Sequence, residues 1–219
     1  MLGFHHFGTF LLFAAFALLL ASCLTSPLFG PNHDYAIAKA AVSARIASLV
    51  SVSANIKLGV FGYCYNLEGG ADQCSSSTLG YSLPPFLAEL GSATGVISQS
   101  TQDTVRAVTK AFVVHPIACG LAFLAFLIAA CSDRIGFLFA SFVTFFVFIV
   151  TVACVVLDIV FFYVVRRYIE DNFDVNVDIN YSAGTWITVA ALACEFVAFF
   201  ATCCACCTAR RNRRRQEKW

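Results

Sequence analysis

Four long stretches of the chain are almost free of charge: Phe4 to Ser26, Ala111 to Cys131, Ile135 to Val165 and Ala183 to Thr208. A helix crossing the roughly 30 Å hydrocarbon layer needs about 20 apolar residues, so each stretch is long enough to span a bilayer. The third would reach roughly 45 Å as one helix, and must tilt or project beyond the membrane. Pro27 closes the first stretch. Within it, Leu20-Ala21-Ser22-Cys23 is similar to a lipoprotein cleavage box, but Met1 to Gly8 offers only His5 and His6 in place of the positive residues of a signal peptide. The expectation is an uncleaved first span. The layout is then a span at 4–26, a loop at 27–110, a span at 111–131, a tight turn at 132–134, a span at 135–165, a second loop at 166–182, a span at 183–208 and a tail at 209–219.

The first loop has internal order. Tyr35 to Lys57 is rich in alanine and sets Ile37, Ala41, Arg45, Ile46, Leu49 and Ile56 at mixed helical spacings, which predicts a short amphipathic helix. From Gly59 to Tyr81 the character changes. Val60, Phe61, Tyr63 and Tyr65 suit a strand, the turn formers Asn66, Gly69, Gly70 and Asp72 follow, and Ser75 to Tyr81 runs back. Cys64 and Cys74 bracket that turn. Pro84-Pro85 breaks the chain, and Phe86 to Lys110 is helix-tolerant around Gly91 and Gly95, leading into the second span. In the second loop, alternating Phe173, Val175, Val177 and Ile179 predicts one strand that pairs with the hairpin of the first. Asn180-Tyr181-Ser182 is a glycosylation sequon, expected to be poorly used because it lies against the fourth span.

Composition agrees with a bilayer protein: 59% of residues are apolar and 12% charged. A soluble fold would leave much of that apolar surface in water. The net charge of +1 matters less than where the charges lie. Arg210, Arg211, Arg213, Arg214, Arg215 and Lys218 crowd the last ten residues, opposed only by Glu217. Four spans put both termini on one side, and the arginine run puts that side in the cytoplasm, with Arg166-Arg167 a minor vote against. Beside a span such a tail meets anionic lipid rather than nucleic acid. Of eleven cysteines, only Cys64 and Cys74 fall in a segment expected to face an oxidising compartment, so they are expected to be bridged. Cys203, Cys204, Cys206 and Cys207 lie just inside the membrane face beside the basic tail, where S-acylation is a better reading than zinc.

Ionisable groups inside spans are costly and are candidates by default. Asp158 and His115 occupy a similar layer near the outer ends of spans three and two, so they are read either as a hydrogen bond tying two helices or as a carboxylate–imidazole pair that senses pH. Glu195 lies near mid-membrane, where the plain reading is a neutral acid bonded to a neighbouring helix, with Ala190, Cys194 and Ala198 as a small-residue ridge for close packing. Phe137, Phe139, Phe142, Phe145, Phe146 and Phe148 are expected to face lipid and packed helices. No Ser-His-Asp grouping, phosphate-cradling glycine loop or HExxH motif is present, so no catalytic residue, cofactor or metal is assigned.

The core reading G-x-F-G-Y-C…C-S…G-Y resembles the loop motif of the fungal PalI family of pH-response regulators, grouped with the eisosomal four-span proteins and, in its loop, similar to claudins. The resemblance rests on Gly59, Phe61, Gly62, Tyr63, Cys64, Cys74, Gly80 and Tyr81, on His115-Pro116 and on Leu157-Asp158-Ile159, and covers nearly the whole chain. It implies an all-α membrane fold, a four-transmembrane-helix bundle with a small disulfide-stapled extracellular β-hairpin of claudin-like kind. It further implies a multi-pass plasma-membrane accessory or scaffold, not an enzyme, that assists a multi-span receptor in ambient alkaline-pH signalling. The alternative is a self-associating organiser of membrane domains, and a transporter or channel is the less favoured third. Membrane lipid and another membrane protein, or a second copy, are the expected partners, with no nucleic acid.

Overall fold

The computed structural model describes residues 3–25, 36–46, 50–67, 70–78, 80–81, 99–131, 136–172 and 176–216. The expected turn at 132–134 and the Pro84-Pro85 break lie outside these residues, as do the side chains of Cys204, Cys206, Cys207 and the tail arginines. In chain order the elements are α1 (Gly3–Cys23), β1 (Ala38–Ile46), β2 (Val50–Leu58), β3 (Tyr63–Leu67), β4 (Gln73–Cys74), α2 (Gln99–Ala111), α3 (Val114–Cys131), α4 (Gly136–Asn172), β5 (Asn176–Tyr181) and α5 (Ala183–Gln216). Four helical windows are long and apolar enough to cross a membrane: His6–Cys23, Arg106–Cys131, Phe139–Arg167 and Ala183–Cys203. The fold is a four-span bundle with a small antiparallel sheet.

The chain divides into two compact units. The first holds Met1–Leu20, Val114–Cys154 and Ile187–Trp219 and consists of the membrane helices. Each helix turns a stripe inward at alternating steps of three and four residues. Leu12, Ala15 and Leu19 do so on α1, Ala118, Ala122, Ala125 and Ala129 on α3, and Ala140, Thr144, Val147, Thr151 and Cys154 on α4; Thr188, Ala191, Glu195, Ala198 and Thr202 do so on α5. That spacing is the seam of a left-handed bundle, and small residues on it let backbones approach. The small buried residues of α5 on either side of Glu195 are Ala191 and Ala198. Of the expected ridge Ala198 is buried, Cys194 half-buried and Ala190 exposed, with Ala191 buried in place of Ala190. The rings of Phe13 and Phe126, Phe16 and Phe123, Phe145 and Phe199, and Phe148 and Phe196 meet at 5.0–5.8 Å. Phe139, Phe142 and Phe146 point outward, more than half exposed, as a lipid-facing surface requires.

The second unit holds Ala21–Val113 and Val155–Trp186 and contains the sheet, in the order β4-β3-β2-β1-β5, all neighbours antiparallel. Here two expectations are corrected. The stretch read as an amphipathic helix is the hairpin β1–β2, paired from Ala38↔Leu58 to Ile46↔Val50. Alanine's helix propensity is a weak prior that tertiary pairing overrides, and the alternation of small apolar with Lys39, Ser43, Arg45, Ser51, Ser53 and Lys57 fits a half-buried sheet. The strand of the second loop does join the sheet, but on β1 rather than on the β3–β4 hairpin, from Ala38↔Tyr181 to Ser43↔Asn176. The start of α5 is tied to the same edge: Ser182 N–H and Thr185 Oγ1 donate to Ile37 O (both 3.1 Å) and Gly184 N–H donates to Ala36 O (2.9 Å).

The helices leading into and out of the spans are longer than the spans. α4 runs unbroken for 37 residues, about 55 Å, and α5 for 34, about 51 Å, so both outreach a 30 Å hydrocarbon layer and the basic segment to Gln216 is helical. α2 and α3 are separated only by Phe112 and Val113, whose N–H groups reach back three residues to Thr109 O and Lys110 O (both 3.3 Å). This tightened turn precedes Pro116, which has no N–H to continue an α-helical ladder.

Candidate functional site

The hairpin β3–β4 is stapled across one register pair: Cys64 faces Cys74, their Cα atoms 4.0 Å apart, joined by a disulfide. Cys64 is buried and Cys74 exposed. Hydrogen bonds extend the pairing beyond the two-residue β4. Tyr63 N–H donates to Ser75 Oγ (3.1 Å), Ser75 N–H to Tyr63 O (2.9 Å) and Thr78 N–H to Phe61 O (2.8 Å), so the return strand runs back much as its sequence predicts. The turn is held by side chains. Asn66 Nδ2 donates to Gly70 O and to Asp72 Oδ1 (2.9 Å), Lys57 Nζ pairs with Asp72 Oδ2 (3.3 Å), and Tyr65 OH donates to Gln73 Oε1 (2.6 Å). The Lys57–Asp72 pair is partly solvated and contributes no more than about 1 kcal/mol, so the staple dominates.

The glycine–aromatic motif seats this hairpin. Gly59 N–H donates to Gly62 O (2.8 Å), closing a tight turn whose tip residue, Val60, is fully buried and donates its N–H to Thr25 Oγ1 (3.1 Å), just past α1. Tyr81 reaches into the same turn, its hydroxyl donating to Gly59 O (2.8 Å), while its own carbonyl accepts from Thr109 Oγ1 on α2 (3.0 Å). Gly80 precedes it at φ 75°, where a Cβ would also lie 2.6 Å from Lys110 Cγ, so glycine is required there. The rings of Tyr63 and Tyr81 meet at 5.8 Å, and around them pack Ile37, Ile56, Leu58, Val60, Phe112, Phe161, Phe162 and Val165. Burial pushes the Tyr81 phenol well above its usual range and raises that of Tyr63, with Tyr63 raising Tyr81 further and Tyr65 raising Tyr63. Both are neutral at any physiological pH, so these tyrosines hold the fold and do not report external pH. The staple thus faces outward from a plug that fixes β3 to α2 and α4.

The family model for the SUR7/PalI family matches residues 4–198, which include all four apolar windows to within a few residues, the plug and the staple. The chain belongs to the SUR7/PalI family. No protein in the curated set matches it. In this SUR7/PalI chain the residues of the loop have separate structural parts: the Gly59–Gly62 backbone bond closes the turn, Tyr81 locks it, Gly80 takes the positive φ, Tyr63 fills the core and Cys64 with Cys74 forms the staple. Phe61 is only half-buried at the rim of the plug, where its carbonyl anchors the return strand.

The polar groups of the spans separate by unit. Glu195 is fully buried in the first unit, where Thr151 Oγ1 donates to its Oε1 (3.0 Å), and its Oε2 has no hydrogen-bond partner among the described residues. Thr151 is the interhelical partner that the sequence reading left unnamed. The signal was present as seven-residue steps, Thr144 and Thr151 on α4 and Thr188, Glu195 and Thr202 on α5, which keep polar residues on one face. Farther along the same seam Ser141 Oγ and Cys203 Sγ share a hydrogen bond (3.1 Å). His115 is buried on α3 in the first unit and Asp158 is buried on α4 in the second. Among the described residues no three His, Cys, Asp or Glu side chains gather as a metal site would require.

Proposed function

We propose that the protein is a non-enzymatic accessory of the plasma membrane, both termini cytoplasmic, whose stapled loop engages a multi-span receptor and supports signalling of ambient alkaline pH. The observation that carries this reading is the rigid, outward-facing rim of the hairpin. Ala71, Gln73, Cys74, Ser76, Ser77 and Thr78 are all exposed, small or polar and uncharged, on a backbone held by a disulfide, a buried tyrosine lock and the hydrogen bonds of the turn and return strand. A surface already ordered loses little entropy when a partner docks. The test follows a tagged receptor in cells that lack the protein, or that carry Gln73→Arg with Ser77→Arg in the rim. Loss of the receptor from the surface, or of the alkaline response, with the variant itself at the surface, supports the reading. A receptor that stays in place and signals in both cases overturns it.

A second reading, an organiser of lateral membrane domains, is favoured by the length of α4. Its apolar window Phe139–Arg167 spans 29 residues, about 43 Å as a helix, against a layer of about 30 Å. Such a mismatch costs a fraction of a kcal/mol per Å and collects proteins where the bilayer is thicker. Static cortical patches of the tagged chain support this second reading, and an even distribution overturns it.

A further inference from the structure

Past Val155, α4 has two distinct sides. With Tyr163 set at zero and about 100° per residue, the exposed residues Val156, Ile159, Val160, Arg166 and Arg167 all fall within about 60° of it. The buried residues Asp158, Phe161 and Val165 lie about 140° to 160° away, and Phe162, at about 100°, stacks on Tyr181 with ring centroids 3.9 Å apart. The outward side is therefore one strip that changes character along its length. Three branched aliphatic side chains give way to a tyrosine more than half exposed, and then to two exposed arginines that close the apolar window of the helix. Arginines at this end run against the charge asymmetry that orients the spans, and a guanidinium at the hydrocarbon boundary needs polar partners at its own depth. Arg167 Nη1 donates to Tyr163 OH (3.0 Å), so this side chain folds back along the helix toward the span. A tyrosine at the end of a span seats its hydroxyl among the lipid headgroups, and Arg167 is held beside it there. Glu170 and Asp171 stand about 6 Å farther along the axis.

We propose that this strip binds an anionic phospholipid in the leaflet from which α4 emerges. The headgroup phosphate accepts from Arg166, Arg167 and the Tyr163 hydroxyl, and an acyl chain lies along Val160, Ile159 and Val156. The hydroxyl accepts from Arg167, so its own proton points elsewhere and can go to a phosphate oxygen. A guanidinium carries five donors in a planar fork that matches phosphate oxygens two at a time, and the bond to Tyr163 fixes the orientation of one such fork before the lipid arrives. Two positive groups at phosphate depth favour a headgroup of net negative charge over a zwitterionic one. The site belongs to the end of α4 alone and holds for either orientation of the chain in the membrane.

The test uses the full-length protein in phosphatidylcholine vesicles with a trace of a photoactivatable lipid, its diazirine close to the headgroup, either phosphatidylglycerol or phosphatidylcholine. Cross-linked peptic peptides covering residues 160–172 are quantified by mass spectrometry. Each basic residue at an anionic headgroup is worth about fivefold in affinity, so the phosphatidylglycerol probe is expected to label this segment at least about tenfold more than the phosphatidylcholine probe. Arg166→Gln with Arg167→Gln should bring the two probes level while phosphatidylcholine labelling stays at the wild-type value, which shows the helix still in place. Tyr163→Phe removes one donor and the hold on Arg167, and should lower the preference about threefold. Arg210→Gln with Arg211→Gln and Arg213→Gln should leave the preference of this segment unchanged, which separates the site from the basic tail. Equal labelling of the wild type by the two probes, a preference that survives the Arg166 and Arg167 variant, or one that is lost with the tail variant overturns the proposal. Where the double variant also loses phosphatidylcholine labelling, Tyr163→Phe decides, and a preference equal to wild type then overturns it.

Discussion

Removing one oxygen atom tests how the loop is seated. Tyr81→Phe leaves the ring against Tyr63 and the surrounding apolar cluster, so packing is conserved, but it deletes the donor to Gly59 O, and Gly59 is buried. A buried carbonyl left without its donor costs about 1–3 kcal/mol, and nothing in the substitution offsets it. Taking about 1.5 kcal/mol, the equilibrium for local opening of the turn rises about tenfold. Tyr81→Ala removes the ring as well and is expected to cost about 3–5 kcal/mol, the range for a deleted aromatic core residue. The assay is hydrogen exchange of the detergent-solubilised protein, read on peptides covering Gly59 to Tyr65 and, as an internal control, on α3. The phenylalanine variant should speed exchange of the first region by about an order of magnitude and leave α3 unchanged. Exchange at the wild-type rate, or a phenylalanine variant as fast as the alanine one, would refute the reasoning that a single buried hydrogen bond locks this turn.

Other outcomes follow from the same geometry. Gly184→Ala puts a methyl group 2.7 Å from Ala36 O, a backbone atom that no rotamer can move, so α5 must shift from the sheet edge and thermal stability should fall. Gly120→Ala, where nothing lies within 4 Å, should be neutral or gain up to about 1 kcal/mol from helix propensity, and a Gly184→Ala protein as stable as Gly120→Ala would contradict the close contact. Because the Tyr81 phenol is raised above its unfolded value near 10, the native state keeps a proton that the unfolded chain releases. Its contribution is therefore complete below pH 10 and declines above it by about 1.4 kcal/mol per pH unit, and a melting curve of the protein that weakens already between pH 7 and 9 would assign that loss to another group. His115→Ala should leave the alkaline response intact if the imidazole is structural, and a folded, surface-located variant blind to pH would make it a sensor instead. Glu195→Gln keeps the hydrogen bond from Thr151, so stability should change little, and vesicle flux abolished by it would point to transport.

The spans were readable because hydropathy alone places them, and the staple because only two cysteines share a polar, glycine-rich segment. The β1–β2 hairpin was not, since AKAAVSARI satisfies a loose helical spacing as well as an alternating one, and only pairing with Asn176–Tyr181, about 140 residues away, decides between them. The role of Tyr81 was hidden for another reason: its partner Gly59, 22 residues earlier, offers only a backbone carbonyl and is recognisable only once the turn has folded. Glu195 was marked by its cost in a membrane, but its partner Thr151 became visible only when the bundle fixed which faces meet.

The central claim is that four membrane helices hold a bridged loop on the outer side of the cell. Its most direct test is labelling of intact cells with a membrane-impermeant maleimide, before and after an impermeant reductant. The account predicts that neither Cys64 nor Cys74 reacts at first and that the exposed Cys74 becomes labelled after reduction, with the staple confirmed by loss of that labelling in Cys64→Ser with Cys74→Ser. Thiols that react without reductant, or that become reactive only when the membrane is permeabilised, would contradict it.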